Sequence, residues 1–147
     1  MMKMIGILIT GHGNFASGIL SSLKMIVSEP EHVIGVDFTE EDSTDLLKKR
    51  MLEMIPRLGT EILILTDLQG GTPYNTSVIL KTELKEFHIE VLAGCNLPML
   101  ITAVFGRNHL SLAELAKQVT DSGKDNIKQF IYQAADHKKE IEPDEGI

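Results

Sequence analysis

"EILILTDLQGGTPYN", Glu61–Asn75, joins a short apolar run to a glycine turn and then to a segment with helical signals. The run through Asp67 is continuously apolar until its last residues, as in a strand buried on both faces. Asp67 stands at the end of that strand, and Gly70 and Gly71 turn the chain. Thr72 is expected to cap the next helix, with Pro73 at the first helical position, where its missing N–H costs nothing. Nothing nearby in sequence pairs with the Asp67 carboxylate. An earlier fragment, "TGHGNFASG" (Thr10–Gly18), stands in the same kind of place and carries His12.

Outward from these two turns, strand-like and helix-like segments alternate. Met4–Thr10, His32–Phe38 and His88–Gly94 read as further strands. Asn14 is placed as the N-cap of a helix with Phe15, Ile19, Leu20, Leu23 and Ile26 at helical spacing. Asp42 or Ser43 opens a second helix, whose apolar face includes Leu46, Leu47, Met51, Met54 and Ile55. "LPMLITAVFG", Leu97–Gly106, is a further helix, and "SLAE", Ser111–Glu114, is a capping box that opens the last helical region. That region is expected to break at "DSG", Asp121–Gly123. The alternation predicts an α/β fold: an open, doubly wound, mainly parallel sheet of order 2-1-3-4 with helices on both faces. In that order strands one and three are neighbours, and the crevice above their carboxyl ends is the expected site.

The chain has 147 residues, 43% hydrophobic and 24% charged, which suits one globular domain, placed at 1–138. An acidic tail, ending in "EIEPDEGI", follows at 139–147. No apolar run approaches the roughly 20 residues of a membrane helix, and the first residues lack a secretory pattern. The single Cys95 cannot form an internal disulfide and points to a reducing, cytoplasmic setting. A net charge of −7 with no basic stripe argues against nucleic-acid binding.

Neighbouring parallel strands lie about 4.8 Å apart, so His12 and Asp67 are expected to meet. A carboxylate that accepts one imidazole N–H leaves the other ring nitrogen free and stabilises positive charge on the ring. Two uses follow: a general base, or a nucleophile that takes up a group itself. No Ser or Cys sits in a nucleophile elbow, and Cys95 reads as packing. The surroundings favour a phosphoryl group. Gly11 and Gly13 flank the histidine, Gly70 and Gly71 lead to a helix N-terminus, and Thr72 offers a hydroxyl. Phosphate-binding roles are therefore assigned to Gly13, Gly71 and Thr72. His32, His88, His109 and His137 lack such a setting and read as surface or edge residues. No metal-ligand cluster is apparent.

With these residues in place, the chain resembles the mannose-family IIA component of the bacterial sugar phosphotransferase system. The motifs that carry the resemblance are "ILITGHGNFASG", "DF" at Asp37–Phe38, "TDLQGGTPYN" and "AGCNLPML" at Ala93–Leu100. It implies a homodimer with a short antiparallel strand exchanged near the C-terminus, for which Asn126–Ile131 is the candidate. It also implies transfer of a phosphoryl group from HPr to His12, and on to a IIB protein that serves a membrane permease. Asp67 is implied to hold the ring through Nδ1–H, leaving Nε2 as nucleophile, with Thr72 beside the phosphoryl group. No cofactor and no metal are implied. Phe15 and Leu68 are candidate rim contacts for the partner proteins. Gln69, where mannose-specific members carry an aromatic residue, tilts the resemblance toward the N-acetylgalactosamine or galactosamine branch.

Two other classes fit the pattern less well. A receiver-type signalling domain phosphorylated on Asp67 needs an acidic cluster after the first strand, where this chain has Thr10, Gly11 and His12. A nucleotide- or flavin-binding module needs G-x-G-x-x-G, and in "GHGNFASG" the glycine after Gly13 is Gly18.

Overall fold

A computed structural model describes residues 4–134. Its strands are β1 (Gly6–His12), β2 (Val33–Phe38), β3 (Glu61–Thr66) and β4 (His88–Leu92). They form one four-stranded, all-parallel sheet of order β2-β1-β3-β4. The helices are α1 (Phe15–Ile26), α2 (Thr44–Leu58), α3 (Thr72–Glu83), α4 (Leu97–Gly106) and α5 (Leu112–Asp125).

Strand periodicity divides the core in two. Ile7, Ile9, Leu63 and Leu65 face a layer containing Leu23 of α1, Leu100 of α4, and Leu115 and Val119 of α5. Leu8, Ile62 and Ile64 face the opposite layer, with Leu47, Met51 and Ile55 of α2 and Leu80 of α3. Both sheet faces are covered, which is why the central strands read as continuous apolar runs. Gly6 lies against Leu58, where an added Cβ would come within 2.6 Å of that residue's carbonyl oxygen.

The predicted sheet order holds, and several local details differ. β1 begins at Gly6 rather than Met4 and extends through His12, because the β2 ladder continues to the His12–Phe38 pair. β4 stops at Leu92. Ser43 caps α2 by accepting from the Leu46 amide. The N-cap of α3 is Gly71 and not Thr72, whose side chain makes no cap hydrogen bond. Asn14 stands at the N-cap of α1, again without a side-chain cap bond. Asp37 performs that task from β2, its Oδ1 accepting the Ser17 amide at 2.9 Å.

The expected break at Asp121–Gly123 does not occur, and α5 runs through it to Asp125. Gly123 is a packing glycine: a Cβ there would fall 2.6 Å from Met99 Cγ. Residues 127–133 form neither helix nor strand, so the candidate strand at Asn126–Ile131 is not formed within this chain. A strand exchanged between copies has no sheet neighbour inside one chain. Ile127, Phe130 and Ile131 are exposed. His32, His88 and His109 are exposed as expected. His137 and the tail at 139–147 lie outside the described residues.

Candidate active site

His12 is the last residue of β1, and Asp67 is the first residue after β3. Thr10 pairs with Thr66 across the two strands, so both chains leave the sheet at one level. Asp67 Oδ2 accepts the His12 main-chain N–H at 2.9 Å and lies 2.8 Å from ring Nδ1. Residues 55 positions apart thus share one carboxylate oxygen. The ring is 47% exposed and the carboxylate 16%. With Nδ1 committed to Asp67, Nε2 carries the free lone pair.

Two glycines make this approach possible by lacking a side chain. A Cβ on Gly11 would sit 2.9 Å from Asp67 Cγ and 2.6 Å from the Phe15 ring. One on Gly71 would sit 2.6 Å from His12 Cε1 and 3.3 Å from Nε2. Gly13 (φ 60°) and Gly70 (φ 83°) instead supply left-handed turn conformations. Asn75 locks the second turn, its Nδ2 donating to the Gly70 carbonyl at 3.0 Å.

Nε2 therefore borders the N-terminus of α3. The first-turn amides of Thr72 and Tyr74 have no acceptor within the helix, and Pro73 has no N–H to offer. Together with the helix dipole they favour an anion there. Leu68 follows Asp67 in sequence and is 59% exposed. Phe15 is partly buried against the α1-side core, and its ring also borders Gly11 beside Asp67.

Burial works against the Asp67 charge, but the hydrogen bonds from the His12 amide and ring and the attraction of that ring outweigh it. The carboxyl is held below its ordinary value of 3.8. The Cys95 thiol is pushed up to about 12 by burial and by the Asp67 charge. It is neutral at physiological pH and is no nucleophile. Among the described residues, no group of three or more His, Cys, Asp and Glu side chains could hold a metal ion.

Sequence reasoning missed one neighbour. Phe38 pairs with His12 in the β1–β2 register, and its ring meets the imidazole edge-to-face, with centroids 6.2 Å apart at 69°. Its carbonyl accepts the Gly13 N–H at 2.7 Å. The signal was available: in a 2-1-3 strand order, the end of strand two lies beside His12.

The model of the EIIA-man family, described as "PTS system fructose IIA component", matches residues 6–120. The fructose-specific EIIA component of the phosphotransferase system (PTS) of Bacillus subtilis is 32% identical over 76% of this chain and 77% of its own length. The mannose-specific EIIAB component of Escherichia coli K12 is also 32% identical, over 84% of this chain. That alignment spans 39% of the longer relative. Among solved structures, the phosphotransferase system component EIIA of Streptococcus agalactiae superposes with a TM-score of 0.82. It is 39% identical, covering 86% of this chain and 97% of that one. The mannose/sorbose specific IIA subunit of Enterococcus faecalis gives a TM-score of 0.78 at 28% identity, over 88% and 97% of the two chains. With a family match over residues 6–120 and relatives alike over most of its length, the chain belongs to the EIIA-man family, the fructose, mannose and sorbose type of PTS IIA phosphocarrier domain.

Proposed function

We propose that the protein accepts a phosphoryl group from phospho-HPr on Nε2 of His12 and passes it to a IIB protein during sugar uptake. The observation that carries this reading is the double engagement of Asp67 Oδ2 by the His12 amide and Nδ1. It leaves Nε2 free beside glycine-lined backbone. The Nε2 lone pair attacks phosphorus as the bond to the donor nitrogen breaks, and the neutral donor ring leaves. Asp67 stabilises the positive charge gained by the His12 ring. The reverse sequence delivers the group to the IIB protein. Exchange between nitrogens of similar basicity is nearly balanced, so positioning and anion stabilisation matter more than driving force. Thr72, Gly71 and Gly13 surround the phosphoryl group in this reading, with the α3 amides as donors.

Incubation with HPr, its kinase and phosphoenolpyruvate tests the reading. The expected product is an acid-labile, base-stable phosphoprotein. Labelling that persists in His12→Ala would overturn it. A receiver-type role for Asp67 is disfavoured, because Oδ2 is engaged by His12 and Oδ1 is buried.

The finer assignments belong to the same proposal. Residues 1–138 act as one domain in the cytoplasm, as a homodimer, and reach the membrane permease only through the IIB protein. Gln69 and the wording of the two glycine turns support the N-acetylgalactosamine or galactosamine branch. Sedimentation of the full chain tests the dimer. Phosphotransfer to IIB proteins from systems for different sugars tests the branch.

A further inference from the structure

We propose that Phe38 is a positioning residue for phosphoryl transfer, its ring holding the His12 imidazole in the orientation that presents Nε2. This rests on His12 being the acceptor. The Asp67 hydrogen bond fixes Nδ1 but leaves the ring free to rock about the Nδ1–Oδ2 line. Gly71 bounds the ring near Cε1, where its missing Cβ makes room. The Phe38 ring adds a further boundary, at a separation and angle typical of edge-to-face aromatic pairs.

Phe38 suits this task because its own place is fixed from several directions. It is the Cα partner of His12 in the β1–β2 ladder, and its carbonyl accepts the Gly13 amide. The next residue is pinned as well: the Thr39 amide and hydroxyl both donate to Asp42 Oδ2, at 2.9 and 3.0 Å. Arg50 of α2 donates to the same oxygen at 3.0 Å. The Phe38 side chain packs against the core layer beneath α2 and α3. A line of contacts thus runs from Arg50 through Asp42, Thr39 and Phe38 to the imidazole. Phe38 makes no bond to the transferred group, and its effect falls on the geometry of attack.

The test compares full-length wild type, Phe38→Leu and Phe38→Tyr with two donors. One is phospho-HPr. The other is zwitterionic phosphoramidate, whose P–N bond breaks as the Nε2–P bond forms and ammonia leaves. Small misplacements of a reacting group cost large factors in rate, so Phe38→Leu is expected to lower the saturated rate about tenfold with KM within about twofold. Phe38→Tyr, which keeps the ring, is expected to retain the rate. Nitrogen-15 NMR of the His12 ring is expected to show one sharp Nδ1–H environment in wild type and an averaged, broadened one in Phe38→Leu. If Phe38→Leu loses its fold by circular dichroism, Phe38→Met carries the same comparison. An unchanged rate, a change in KM alone, or an unchanged ring spectrum would overturn the role. Absence of labelling in wild type by both donors would instead overturn His12 as acceptor, a separate outcome.

Discussion

Asp67 Oδ2 binds His12 twice, at the main-chain N–H and at ring Nδ1, so one oxygen anchors both the end of β1 and one nitrogen of its last side chain. The fold creates this pair by placing β3 beside β1 with Thr10 opposite Thr66. Hydrogen bonds to an ionised acceptor are about twice as strong as neutral ones. Asp67→Ala is accordingly expected to slow phosphoryl transfer by at least about tenfold, with circular dichroism unchanged. Unchanged transfer kinetics would remove Asp67 from the mechanism.

The same pair makes stability depend on acid. Asp67 has its carboxyl lowered in the fold from an ordinary value of 3.8. A group lowered on folding contributes stability that is fully present above the unfolded value and is lost as pH falls through the folded one. Thermal melts of wild type and Asp67→Asn should therefore differ most above about pH 4 and converge below it. A gap that widened with acid would contradict the assignment. Asp42 is lowered too, first by the Thr39 amide, so some acid sensitivity remains in Asp67→Asn.

Gly71 and Gly13 separate steric room from backbone freedom. Gly71 has an ordinary φ of −72°, so Gly71→Ala keeps the backbone but drives a methyl to within 2.6 Å of His12 Cε1. Transfer is expected to fall by about ten- to a hundredfold with little change in melting temperature. Gly13→Ala meets nothing within 4 Å, yet its φ of 60° is left-handed. It should cost about 1–2 kcal/mol of stability in a urea titration. Gly71→Ala is expected to keep its stability and Gly13→Ala to lose it, and equal urea midpoints would refute the distinction.

Cys95 tests the reading of the buried thiol. Its amide donates to the Thr66 carbonyl at 2.9 Å, and its side chain lies in the core on the α1 side of the sheet. With the thiol pKa pushed up to about 12, iodoacetamide should modify it slowly in the native protein and rapidly in urea. Cys95→Ala is expected to leave phosphoryl transfer unchanged. Fast native alkylation at pH 7 would show an accessible thiolate.

What was legible in the sequence follows from the range of each interaction. The apolar runs gave the strands, because both sheet faces are covered, and the two glycine turns marked the ends where the site lies. Thr72 was misplaced by one position because the Thr-Pro pattern fits either the cap or the first turn. Gly123 was misread because a glycine that accommodates Met99 looks, in one dimension, like a helix breaker. Phe38 was overlooked as a site residue because its contact exists only through register between two strands.

Arg107 is a buried cation at the end of α4. It follows α4, is 5% exposed, and donates to the main-chain carbonyls of Ile5, Glu31 and His32 at 3.3, 2.6 and 3.3 Å. Burial lowers its pKa and the nearby Glu31 opposes that shift, but a guanidinium remains charged. These carbonyls precede β1 and β2, at the opposite end of the sheet from His12. They also hold a lead-in turn in which Glu29 and His32 adopt φ of 45° and 54°. Arg107→Met keeps the apolar stem and removes every donor, so the Ile5 and Glu31 carbonyls lose their Arg107 bonds while the His32 carbonyl keeps the Ile7 amide. A loss of about 2–4 kcal/mol is expected in urea unfolding, with phosphoryl transfer at 25 °C unchanged. An unaltered unfolding midpoint would mean that water or a backbone shift replaces these bonds at little cost. A slowed transfer in a folded variant would instead tie the two ends of the sheet together.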